Sequence, residues 1–72
     1  MAADDIYRYE IRVEGEMQGY WLSRFSGLDF PLDVEGNTCI LGNMDQSTLF
    51  GILNMICDIG MRLDWVMRHE KE

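Results

Sequence analysis

The chain has little of what most chemistry needs. It holds a single histidine, His69 near its end, and only two cysteines, Cys39 and Cys57. A lone histidine in a tail leaves the serines and threonines without a general base to activate them. Two cysteines with no CxxC spacing cannot close a zinc shell with it unless carboxylates join. Both cysteines stand in apolar stretches and are expected to be small buried side chains. Basic residues are also scarce, six against thirteen acidic ones, for a net charge of −7. Counterion-release binding to nucleic acid needs clustered lysine and arginine, and so does an anionic membrane surface, so neither is an expected partner. The acidic excess is expected to serve solubility. No apolar run is long enough to span a bilayer and no secretory leader opens the chain, which makes a reduced, cytoplasmic protein without a disulfide the expectation. A phosphate-cradling loop is missing too: Gly42-Asn43-Met44-Asp45 lacks the glycines and lysine of a P-loop. With so many acids, chance neighbours are common, and no carboxylate pair stands out for acid–base work. No catalytic, cofactor-binding or metal-binding residue is singled out, and the chain is not expected to be an enzyme.

What the chain does have is centred on residues 44–67. Asp45 is placed to cap a helix by accepting from the N–H of Ser47 or Thr48. Gly60 stands where a left-handed residue closes one. Between them Leu49, Ile52, Leu53, Ile56 and Ile59 recur at spacings of three and four, which puts them on one helical face. Met55 and Cys57 widen that face on either side and Phe50 extends it, so the apolar arc spans roughly 200°, against about 100° for an ordinary surface helix. From Gln46 to Cys57 no residue is charged. Either another part of the chain covers this excess surface or a second chain does. Gly51 lies inside the helix, where it lets a neighbouring backbone approach or is simply tolerated.

On either side the period drops to two. Tyr7, Tyr9, Ile11 and Val13 alternate with Arg8, Glu10 and Arg12, the mark of a half-buried strand. Leu28, Phe30, Leu32 and Val34 alternate with Asp29, Pro31 and Asp33, and the proline predicts an edge strand. Glu35-Gly36-Asn37 predicts a hairpin turn into a strand over residues 38–41, ended by Gly42-Asn43; whether Ile40 or Leu41 faces the core depends on the loop length. Met61, Leu63, Trp65 and Met67 are expected to face the core of a last strand over residues 61–68, with Arg62, Asp64, Val66 and Arg68 outward. Met17, Trp21, Leu22 and Phe25 predict a helix of about two turns over residues 17–25. The order strand, helix, strand, strand, helix, strand predicts one α+β domain over residues 1–72. Its expected form is a ferredoxin-like split β-α-β-β-α-β, a four-stranded antiparallel sheet with both helices on one face. Residues 1–5 and 69–72 are expected to fray.

The phrases YEIRVEG, WLSRFSGL and DQSTLFGIL…DIGMRLDWV, which together cover Tyr9 to Val66, resemble a family of short uncharacterised bacterial and archaeal proteins. Its pattern runs YxIxVxG, WFxGL, LxG, DQxxLxGLL and LGLxL. That family has no settled function, so the resemblance implies a domain boundary and no mechanism. Phe50 stands before Gly51 where such relatives often carry a histidine, so a reactive histidine at that place is not expected here. Asp45, Gln46, Leu49, Gly51, Leu53 and Asp58 match as cap and packing residues.

These readings point to a non-enzymatic protein-interaction or regulatory module without a cofactor. It is expected to act as a homodimer or as a small subunit of a complex. The residues expected at its contact are Phe50 and Met55 on the helix, with Val66, Ile40, Arg8 and Arg12 on the far side of the sheet. The alternative is a small-molecule sensor resembling ACT domains, which share the expected element order and bind ligands at a dimer interface.

Overall fold

A computed structural model of the chain describes residues 5–69. Its frame is a three-stranded antiparallel sheet of β1 (Tyr7–Val13), β2 (Thr38–Met44) and β3 (Leu63–His69), in the order β2-β1-β3. β1 is central because it alternates most cleanly: Ile11 and Val13 point to one face and are fully buried. β2 pairs with it so that Ile11 lies opposite Ile40, and β3 so that Ile11 lies opposite Val66.

The main helix, α2 (Gln46–Asp58), lies over that face and buries Leu49, Ile52, Met55 and Ile56. Both ends form as expected. The Asp45 carboxylate accepts the Thr48 N–H at 2.8 Å. At the other end Gly60 takes a φ of 77°. Its N–H donates to Cys57 O and the next N–H, of Met61, donates back to Ile56 O, the paired closure that a left-handed glycine permits. Together with Met17 and Met44 these side chains make the core.

Three expectations are overturned. The sheet has three strands rather than four, so the ferredoxin-like arrangement does not form. The stretch over residues 28–34 runs beside β2 but forms no ladder with it, pairing only in isolated bridges, Asp29 with Leu41 and Leu32 with Thr38. Pro31 brings no N–H to a ladder, and Asp33 bends the chain back: its Oδ1 accepts the N–H of Glu35 and of Asn37. Of the four residues expected to face inward, Leu28 and Phe30 pack against the core, while Leu32 and Val34 are exposed. Leu28 sits on Gly42, where a Cβ would collide with its Cδ2. This is why β2 runs through Gly42-Asn43 instead of stopping there: the glycine admits a neighbour.

The first helix, α1 (Gly19–Leu22), is a single turn without a side-chain cap. Met17 precedes it and is buried, its N–H donating to Thr38 Oγ1 at 3.0 Å. Phe25 follows it and lies against Gly51. The large side chains at helical spacing were placed by contacts from elsewhere in the fold, and short helices take most of their stability from such packing.

The third correction concerns which way β3 faces. Its register with β1 shifts between Arg12 and Val13, where Asp64 is the extra residue of a bulge. Directly opposed residues share a face, so Leu63, Val66 and Arg68 stand with Val13, Ile11 and Tyr9 on the helix side. Trp65 and Met67 stand with Arg12 and Glu10 on the outer side. One added residue reverses every side chain beyond it. The strand also continues through His69, which was expected to fray; residues 1–4 and 70–72, where fraying was also expected, lie outside the described residues.

Candidate interface on the uncovered side of the sheet

The two edges of the sheet differ. Beside β2 runs the 28–34 stretch, with backbone bonds of 2.8 and 2.9 Å between Asp29 and Leu41 and a Cys39 N–H donated to Pro31 O at 2.9 Å. Beside β3, among the described residues, no strand pairs on the side away from β1. Its apolar side chains are left open: Leu63 is 44% exposed, Val66 39% and Met67 48%. An edge strand that carries apolar residues and no proline is a template for another chain.

The outer face is ordered around Arg12. Its Nε donates to Asp33 Oδ2 at 2.8 Å and its Nη2 to Glu35 Oε1 at 3.0 Å, and Nη1 donates to Asp64. One guanidinium thus ties the turn over residues 33–37 and the bulge of β3 to the middle strand. The Asn37 N–H and then Arg12 hold the Asp33 carboxyl down to about 2, below the usual carboxylate range. Further along, His69 Nε2 lies 3.2 Å from Glu10 Oε1, and on the helix side the Arg68 guanidinium stacks 4.4 Å from the centre of the Tyr7 ring.

The residues expected at a contact separate in the structure. Phe50 is 51% exposed on α2, Arg8 is exposed and Val66 opens onto the helix side of β3. Met55 is buried at 4% and Ile40 at 0%: the first faces the sheet from α2 and the second faces α2 from β2, so neither has surface to offer a partner. Arg12 is committed to its carboxylates. The facing of β2, open from sequence, is settled with Thr38, Ile40 and Met44 inward and Cys39 and Leu41 on the outer face. The cysteines are not both buried: Cys39 is half-buried and Cys57 exposed, and both are free thiols. Sequence reasoning missed Met67 because nothing local marks the bulge that reverses the strand beyond Asp64, and missed Leu63 because, though on the expected face, it lies on an edge strand where it stays 44% exposed. The Asp-x-Glu-Gly-Asn run over residues 33–37 does carry the signal of an Asx turn.

Other chemistry finds little to work with. The Thr38 hydroxyl donates to Gly15 O and the Ser23 hydroxyl to Tyr20 O, so both serve local structure. Burial pushes the Cys39 thiol up, which makes it less reactive. Among the described residues no group of three or more His, Cys, Asp or Glu is placed to hold a metal ion, and no helix is long and apolar enough to cross a membrane. A shallow cleft of about 210 Å³ is lined by Glu16, Gln18, Trp21, Ile59 and Met61.

A family model described as a domain of unknown function, DUF8691, matches residues 8–67. No curated protein and no solved structure matches the chain.

Proposed function

We propose that this chain, which belongs to the DUF8691 family of unknown function, is a non-enzymatic protein-interaction module that works as a homodimer. The observation that carries the reading is the contrast between the sheet edges. The β2 edge is shielded by a proline-containing stretch with outward acids, devices that discourage pairing. The β3 edge presents Leu63, Val66 and Met67 to solvent. A chain of 72 residues has a thin core, and association is a common way to add buried surface at this size. The hydroxyls, the shielded Cys39 thiol and the single histidine, already beside Glu10, support a role in binding over one in catalysis.

The sensor reading drew its support from the ACT-like element order, and that support goes with the four-stranded sheet. Static light scattering at micromolar concentration tests the dimer. The expected mass is twice the 8.4 kDa of one chain, falling to one chain in Met67→Lys, which places a charge on the open edge. A single-chain mass for the unaltered protein contradicts the reading.

A further inference from the structure

We propose that the turn over residues 32–36 is a lid on the first residues of β2, and that Arg12 is the latch that holds it shut. The lid lifts while the earlier half of the 28–34 stretch stays in place and the sheet stays intact. The inference concerns the guarded edge and stands whether or not the chain dimerises.

The stretch is fastened unequally along its length. At its root, Leu28 and Phe30 pack against the core, and Asp29 exchanges backbone bonds with Leu41 in both directions, at 2.8 and 2.9 Å. At its tip, Leu32 and Val34 are exposed, so little apolar burial is lost when the tip moves. The turn also carries its own bonds with it. Asp33 Oδ1 accepts the N–H of Glu35 and of Asn37, and the Asp33 N–H donates to Asn37 O. Among the described residues, other bonds tie the turn to the sheet. The Cys39 N–H donates to Pro31 O at 2.9 Å, the Gly15 N–H donates to Asn37 Oδ1 at 2.8 Å, and the Arg12 guanidinium reaches the turn's carboxylates. A segment with few buried apolar contacts and its bonds near solvent opens at less than the cost of global unfolding.

Arg12 supplies the charge-assisted tie. It donates to Asp33 from Nε at 2.8 Å and to Glu35 from Nη2 at 3.0 Å, and bonds between ionised partners are stronger than neutral ones. It stands on the central strand, directly opposite Cys39, so the latch is anchored in the part of the sheet that is paired on both sides. Lifting the lid frees the Cys39 N–H. It leaves the Leu41 N–H, whose acceptor is Asp29 O at the root, as it was. The first residues of β2 then form an open edge, which is what the proline and the outward acids otherwise guard.

Amide hydrogen exchange at residue resolution tests the lid in the unaltered chain. Cys39 and Leu41 lie on one strand and donate over the same 2.9 Å to the same stretch; they differ in whether tip or root accepts. Cys39 is expected to be about tenfold less protected than Leu41, because local opening reaches the one and not the other. Equal protection overturns the proposal. Arg12→Gln tests the latch and is expected to speed exchange at Cys39 by about a further tenfold, the weight of a bond to a charged group, while Leu41 keeps its rate. Asp64→Asn, which releases the same guanidinium from β3, is expected to change neither. If Arg12→Gln speeds both amides alike or neither, or if Asp64→Asn speeds Cys39 as much, Arg12 is not the latch. Melting curves confirm that the variants fold; if Arg12→Gln does not, Glu35→Gln takes one carboxylate from the latch and is expected to speed Cys39 alone, by less, and no change there overturns the latch.

Discussion

Two glycines with opposite surroundings show how single positions work here. At Gly51 an added Cβ would meet only Phe25 Cε1, at 3.9 Å, an ordinary contact. Inside a helix glycine is about 1 kcal/mol less favourable than alanine, so Gly51→Ala is expected to raise stability by about that amount in urea unfolding. At Gly42 the Cβ meets the Cδ2 end of the half-buried Leu28 side chain, with ordinary contacts to the backbone, so Leu28 has to swing aside and Gly42→Ala is expected to destabilise by less than the about 1–3 kcal/mol of a rigidly packed site. Asp33 adds a dependence on pH. Its carboxyl is held at about 2 in the folded chain against an ordinary 3.8. The unfolded chain therefore takes up the proton first as pH falls. The stabilisation is complete above the ordinary carboxylate range and lost as pH drops through it toward 2. The melting midpoint is expected to fall over that window, and Asp33→Asn to flatten the fall; an unchanged slope would remove Asp33 from the account.

Among the elements, α2 was legible because its signals are local: a cap, a 3.6 period and a closing glycine all lie within the helix and its flanks. Asp45→Ala, which strips the Thr48 N–H of its acceptor, is expected to lower the melting midpoint, and Asp45→Asn, which keeps an acceptor, to restore most of it. β1 was legible for the same reason, through strict alternation. The elements that misled are those decided at a distance. Over residues 28–34 the alternation was real, but Pro31 and the Asp33 turn leave only isolated bridges to β2. Over residues 17–25 the spacing was helical, yet Met17 answers to Thr38 and Phe25 to Gly51. In β3 the expected facing holds at Leu63 and is reversed beyond Asp64, because the bulge there is tied to Arg12 on another strand. The same bulge hid the candidate site: Val66 was anticipated on the open side of the sheet and instead opens on the helix side, while Met67 was anticipated as core. Leu63, also anticipated as core, keeps the expected face and stays open because its strand is an edge.

For the molecule as a whole, one strand edge is guarded and one is open. The helix covers the middle of the sheet and the 28–34 stretch covers one flank, which leaves β3 as the place where a chain this small can bury more apolar surface. Self-association there requires no change in the fold. The family match from residue 8 to residue 67 takes in all of β1 but Tyr7, and β3 as far as Met67. The most direct measurement is amide hydrogen exchange followed across protein concentration. Protection of the amides from Trp65 to His69 is expected to rise as the chain associates, while those from Asp29 to Asp33 stay unchanged. Exchange in β3 that is the same at every concentration would contradict the account.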